Sequence, residues 1–457
     1  MVRNPIQRIS RRRSSQNTMA NQPNRTMKNN MAQALAVGIV AGMAWAGTAA
    51  AQSTEDLLQA LVNKGVLTDA EAEAIRQKAI QKPDDRAPSL VKNITLKGDL
   101  RLRYEQKHQS WEAQNILARQ RQRYRLRFGA VADLKNNLQV GFRLASGSTD
   151  NPISSNQSLD DPGHRDTLAI DQAYVAWSSD SGLTLYGGKM PNHTQTGWMI
   201  NKGLIDSDYT PEGIEAHYDF GNGYAAHFGW NSLYETSGST DMDGLVMGQI
   251  TGVLGDLQLG LGSIWIYNAE QIKTDIIGFT GEPGFGWGQK ISHKDAGGNS
   301  ESGNQIRSNF NPWFIDAKYG FSAGGTPVTL SGTFINNPAA YSSEDTGYSL
   351  GVKYGQAKKQ GTWEIGYEWR HMEKDVMWHQ LTDSNFGTFG ARDLSSAQGK
   401  SYYNGTNVEG SVIRAKYQIY NNTSIGLNWY ITDAIDSSMS GTNEATHRIQ
   451  LDLTFRF

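Results

Sequence analysis

Residues 94–105 read ITLKGDLRLRYE, and their reading decides the fold. Ile94, Leu96, Gly98, Leu100, Leu102 and Tyr104 fall on one side of a period of two, and Thr95, Lys97, Asp99, Arg101, Arg103 and Glu105 on the other. That alternation is a β-strand with one apolar face and one charged face. A single strand of this kind would also suit a soluble sheet wetted on one side. Its repetition along the chain is what separates the two architectures.

Working outward, RQRQRYRLRFGA at 119–130 sets Arg119, Arg121, Arg123, Arg125 and Arg127 against Tyr124, Leu126, Phe128 and Ala130. Leu138, Val140, Phe142 and Leu144 alternate with Gln139, Gly141, Arg143 and Ala145. Val328 to Phe334, Tyr348 to Tyr354, Trp363 to Trp369, Ile413 to Ile419 and Ile425 to Ile431 continue the pattern. The last stretch, RIQLDLTFRF at 448–457, alternates Ile449, Leu451, Leu453, Phe455 and Phe457 with Arg448, Gln450, Asp452, Thr454 and Arg456. Ending on an aromatic, it is similar to the terminal signal of outer-membrane proteins. A strand crossing lipid turns apolar side chains outward, while its inner side chains can meet water. Lipid cannot hydrate backbone amides, so the sheet must close and leave no edge. The expected fold is therefore all-β, a transmembrane antiparallel β-barrel over 94–457. At roughly 23 residues per strand and connection it holds about 16 strands, within about 14–18. Trp177, Tyr186, Trp230, Trp265, Tyr267 and Trp429 are expected in aromatic girdles at the lipid boundaries.

Bulk composition agrees. Hydrophobic residues make up 38%, with 49 Gly, 19 Tyr, 12 Trp and 14 Phe, and mean hydropathy is -0.54. Beyond the N-terminal region no apolar run approaches the ~20 residues of a membrane helix, which excludes a multi-span helical protein. The absence of cysteine rules out disulfides and thiolate metal sites. Residues 1–51 are expected to be a leader and signal peptide: Lys28, an apolar stretch from Ala34 to Ala46, and Ala49-Ala50-Ala51 before Gln52, with translation starting at Met27. The leader carries seven basic residues and no acidic one, leaving 36 Lys+Arg against 45 Asp+Glu, a net charge of -9 that gives no reason to expect nucleic-acid binding. Residues 52–82 are expected to form a short helical periplasmic segment. There Leu57, Leu58, Leu61 and Val62 share a face, and Thr68 with Glu71 makes a capping box. A polar linker, 83–93, follows between Pro83 and the first strand.

These residues together resemble the putative porin family of Gram-negative bacteria. The resemblance is carried by Leu57-Leu58 to Gly65-Val66-Leu67-Thr68, Asp171-Gln172-Ala173-Tyr174, Gly187-Gly188-Lys189-Met190, Pro211-Glu212-Gly213, Gly366-Tyr367-Glu368-Trp369-Arg370, Leu381-Thr382-Asp383-Ser384-Asn385-Phe386-Gly387 and the terminal strand. Asn385 stands where relatives often carry Asp. The resemblance implies a water-filled channel in the outer membrane for passive diffusion of small hydrophilic solutes or ions. It implies lipid and lipopolysaccharide around the barrel, assembly machinery reading Phe457, and a homotrimer. It assigns no binding residue.

The residues themselves point to one candidate site. Arg119, Arg121, Arg123, Arg125 and Arg127, beside Arg101 and Arg103, put up to seven guanidinium groups on one patch of inner wall. Facing acids would create a transverse field that biases ion flow. Asp206, Asp208 and Glu212, or Asp160 and Asp161, could supply them. The same arginines could instead form structural ion pairs with Asp99, Glu105 and Asp171. Residues 192–212 either fold into the lumen or pack as a long external loop, and 278–304 reads as an exposed loop. Asp206-Ser207-Asp208 and Asp241-Met242-Asp243-Gly244 lack the spacing of a calcium loop, so no metal is expected. No zinc-protease or nucleophile-elbow motif occurs, and no cofactor is called for. An outer-membrane barrel enzyme and a surface adhesin remain the alternatives to a channel.

Overall fold

The computed structural model describes residue 69 and residues 90–109, 117–149, 152–160, 162–193, 205–235, 242–267, 301–302, 305–306, 309–389, 402–436 and 445–457. The chain divides into two units, Met1–Pro88 and Ser89–Phe457. The expected leader, cleavage site, helices and the linker as far as Pro88 fall in the first, outside the described residues apart from Asp69; most of the expected loop at 278–304, Asp161 and Asp241 fall in the second and also lie outside the described residues.

Sixteen long strands and the two-residue segment Gln157–Ser158 form one antiparallel sheet. The long strands are β1 (Val91–Gln109), β2 (Leu117–Leu134), β3 (Leu138–Ser146), β4 (Leu168–Ser178), β5 (Leu183–Lys189), β6 (Glu212–Gly221), β7 (Tyr224–Glu235) and β8 (Met242–Leu254). They continue as β9 (Leu257–Tyr267), β10 (Trp313–Ala323), β11 (Thr326–Asn336), β12 (Thr346–Gly355), β13 (Trp363–Met372), β14 (Val408–Tyr420), β15 (Thr423–Ala434) and β16 (Thr446–Arg456). Each pairs with its sequence neighbour, and β16 returns to β1 in a register running from Asp99↔Arg456 to Gln109↔Thr446. The cylinder is closed, as the need to pair every edge demanded.

Closure ends at the terminal aromatic. The Gly98 amide donates to the Phe457 carbonyl at 2.8 Å, and the Phe457 amide donates back at 3.1 Å. A Cβ on Gly98 would lie 2.4 Å from the Phe457 ring, so the ring lies over β1 only because position 98 has no side chain. At the same rim, Asn136 and Asn137 both hold positive φ, the two-residue turn whose twist matches its strands. Connections at this rim run from two to seven residues, and most of those at the other rim are longer.

The period of two sorts the faces as expected. Leu96, Leu102, Phe128, Ile170, Ile250, Leu261 and Leu350 point outward and are exposed, while Asp99, Arg103, Glu105 and Arg125 point inward. An apolar band around a closed sheet would be costly in water and is what hydrocarbon requires. Trp177 and Trp265 lie on this outer surface, and Trp230 donates from Nε1 to the Tyr267 hydroxyl at 3.0 Å. Tyr186 is a correction to the expected girdle. With Leu185 outward, its neighbour turns in, and the Tyr186 ring lies 4.2 Å from that of His193.

Candidate functional site

The basic wall is built by β1, β2 and β16. Strand register places Arg101 opposite Arg125, Arg103 opposite Arg123 and Lys107 opposite Arg119. Like charges directly across a ladder repel, so each must be neutralised, hydrogen bonded or wetted. Two carboxylates on β1 and one on β16 do part of this. Arg103 makes a two-pronged contact with Asp452, Nε at 2.6 Å and Nη2 at 2.7 Å. Arg121 binds Glu105 at 2.6 Å, and Asp99 accepts from Arg125 at 2.9 Å and Arg127 at 2.6 Å. Glu105 also accepts from Gln450 at 2.8 Å. The ion pairs weighed for Asp99 and Glu105 are thus present, whereas Asp171 pairs with Arg143 rather than with the ladder. Arg119 is exposed, with no ion pair among the described residues.

Residues 205–211 fold inward onto this wall. The Asp208 carboxylate lies 3.4 Å from Arg125 and 3.7 Å from Arg127, and accepts from the Ser155 amide and hydroxyl at 3.1 Å each. Although burial alone would raise the Asp208 carboxyl, Arg125, Arg127 and Arg101 hold it well below the usual range. Asp206 behaves oppositely. It is buried, accepts from the Ser384 amide at 2.9 Å and from the Asp208 amide at 2.9 Å, and touches no arginine of the ladder. Burial, then the charges of Asp208 and Asp383, push its carboxyl up to about 7. Glu212 stands apart: it is exposed at the start of β6 and accepts from Lys189 at 2.6 Å. Asp160 is also exposed.

Sequence reasoning missed a second inner feature. On the far side, Leu245, Ile264, Phe314 and Val412 face inward near the long-loop rim and form a buried apolar cluster with Met377, Trp378, Leu381 and Phe386 of the β13–β14 connection. The charged-lumen expectation fails there because this connection packs against the wall and excludes water from it. The only local signal was Val376-Met377-Trp378, apolar residues in a connection where polar ones are usual. Polar contacts complete the docking. Arg370 binds Glu368 at 2.8 Å and Asp383 at 3.3 Å. Arg448 donates to the Ser384 carbonyl at 3.0 Å and Asn385 Oδ1 at 3.1 Å. Thr432 donates to the Gly387 carbonyl at 2.7 Å. Asn385 also accepts from Gln450 at 2.8 Å, so an amide at this position joins the connection to β16.

The Asp206 contact makes this docking pH-sensitive. A carboxyl raised in the folded state favours docking most below its ordinary value near 3.8, and that contribution is lost as pH rises through about 7. Residues 373–389 should therefore resist added protease better at about pH 5 than at about pH 8, and Asp206→Asn should remove the difference. Equal digestion of the parent protein at both pH values would argue against it.

The family described as "Putative porin" matches residues 111–239 and 310–457. No curated protein matches the sequence. Similar solved structures include the high-pH structure of OprB from Pseudomonas putida, with 13% identity and a TM-score of 0.46, covering 79% of this chain and 94% of that one. A loop-deletion mutant of the outer-membrane protein OmpT from Vibrio cholerae has 10% identity and a TM-score of 0.43, covering 80% and 99%. A triple mutant of the Rhodopseudomonas blastica porin has 10% identity and a TM-score of 0.43, covering 80% and 100%.

Proposed function

The chain belongs to the putative porin family, and from that premise we propose that its basic wall gives this outer-membrane channel a preference for anions. The barrel spans the bacterial outer membrane with lipid against its apolar band, and small hydrophilic solutes diffuse through its interior. One observation carries the preference. Arg101, Arg103, Arg119, Arg121, Arg123, Arg125 and Arg127 share one inner patch, and the carboxylates paired with them there are Asp99, Glu105, Asp452 and Asp208. Seven guanidinium groups against four carboxylates leave a positive surface, and a low-dielectric wall focuses its field into the lumen.

Planar bilayers test both levels. Purified protein should give stepwise conductance, and a salt gradient should give a reversal potential of anion-selective sign. Replacing Arg121, Arg123 and Arg125 with Ser removes three cations and leaves Glu105, Asp99 and Asp208 less compensated, so selectivity should shift towards cations. An unchanged reversal potential would remove the ladder from this role. No step at all would end the channel reading.

The long-loop rim faces outward from the cell, and the short-turn rim with Val91 and Phe457 faces the periplasm. The leader is cleaved near Ala51 during export. Exposed Phe457 is the residue that assembly machinery would read, and homotrimers are the assembly the resemblance implies. The role is passage without catalysis, and no cofactor enters it.

A further inference from the structure

Two arginines of the basic wall are held by neutral groups where their neighbours are held by carboxylates. Arg101 Nη2 donates to the Asn156 side-chain oxygen. Arg123 Nη2 donates to the Asn156 carbonyl at 3.0 Å and to the Ser154 hydroxyl at 3.4 Å. Both guanidinium groups therefore converge on one residue of the β3–β4 connection, Asn156, which has acceptors but no charge. The nearest carboxylate, Asp452, is 4.0 Å from Arg101 and already has both oxygens engaged by Arg103. Arg123 has no ion pair among the described residues. The Nε atoms of Arg101 and Arg123 are buried without a hydrogen-bond partner.

An unpartnered buried guanidinium N–H, one on each head, is costly, and guanidinium N–H groups match the paired oxygens of a carboxylate or phosphate. We propose that Arg101 and Arg123, braced by Ser154 and Asn156, form a saturable binding site for a small oxyanion solute in transit through the channel. The inference rests on the channel reading above and goes beyond a diffuse field, because it names a discrete site and the chemistry of what occupies it. Neutral bracing is what makes transit workable. Asn156 holds the two heads together without neutralising them, whereas a carboxylate at 156 would occupy them permanently. Arg103, Arg121, Arg125 and Arg127 already have carboxylates and serve as the surrounding wall.

The test is chloride current through single channels at constant ionic strength, with succinate and inorganic phosphate titrated in separate arms. At least one should reduce the current along a saturating curve, and which one does so separates a carboxylate from a phosphate solute. Asn156→Asp places one charge between the two arginines at nearly constant volume, so the barrel is retained. It should raise the half-blocking concentration about tenfold. Arg101→Gln with Arg123→Gln should do the same. Failure of both anions to block, or a block that Asn156→Asp leaves unchanged, would overturn the site while leaving the channel intact. Absence of conductance steps in the parent protein would instead refute the channel reading.

Discussion

Phe386→Ala is expected to release the inner connection from the wall and enlarge the unit conductance. The Phe386 ring is fully buried in the apolar cluster with Trp378, Leu381, Phe314 and Val412, and the Arg370 guanidinium sits 4.7 Å above its centroid. Truncating a buried phenylalanine costs about 3–5 kcal/mol through lost transfer energy and the cavity left behind. Loss of the cation over its face adds about 2 kcal/mol at this desolvated site. The barrel does not carry that cost. Its sixteen-strand ladder is closed by backbone pairing that the substitution does not touch, so the loss falls on docking of 373–389. Two measurements check it: single-channel conductance should rise, and protease should cut within 373–389 while the barrel core stays resistant. A variant with the parent's conductance and digestion pattern would show that the apolar cluster does not hold the connection in place.

How much of this was legible follows from where each partner lies in the chain. Alternation is local, so ITLKGDLRLRYE alone gave the faces of β1, and its recurrence gave closure and the strand number. The arginine ladder was equally local: five arginines two residues apart on one strand must share a face. Their partners were not local. Arg103 meets Asp452 from a strand 349 positions away, and the Ser384 amide meets Asp206 across 178. Pairing along a wall depends on how a closed sheet brings first and last strands together, and no period in the sequence states the register between them. Tyr186 failed for a simpler reason. Aromatic content suggested the lipid boundary, but parity with Leu185 already placed its ring inside. The inner apolar cluster was the least legible feature, because an inward Leu245 or Ile264 reads the same whether it meets a soluble core or a connection folded into a barrel.

Arg370→Met should also disrupt that connection, for an electrostatic reason. Arg370 is 4% exposed and bridges three groups: Glu368 on its own strand, Asp383 of the connection and the Phe386 ring. Glu368 has a second cation, Arg414, at 2.7 Å, so it keeps a partner after the substitution. Asp383 retains neutral donors, the Asn385 amide at 2.9 Å and its side chain at 3.2 Å. Removing one partner of a buried ion pair costs about 3–5 kcal/mol because the other charge remains in a poor solvent. Methionine keeps most of the apolar stem, so the change isolates charge from volume. A double-mutant cycle with Asp383→Asn then separates the pair from its surroundings. If the Arg370–Asp383 contact anchors the connection, Asp383→Asn should recover part of the docking lost in Arg370→Met, read as restored protease resistance of 373–389. Strictly additive effects would mean that Arg370 acts through Glu368 and the β13–β14 wall, with Asp383 a bystander.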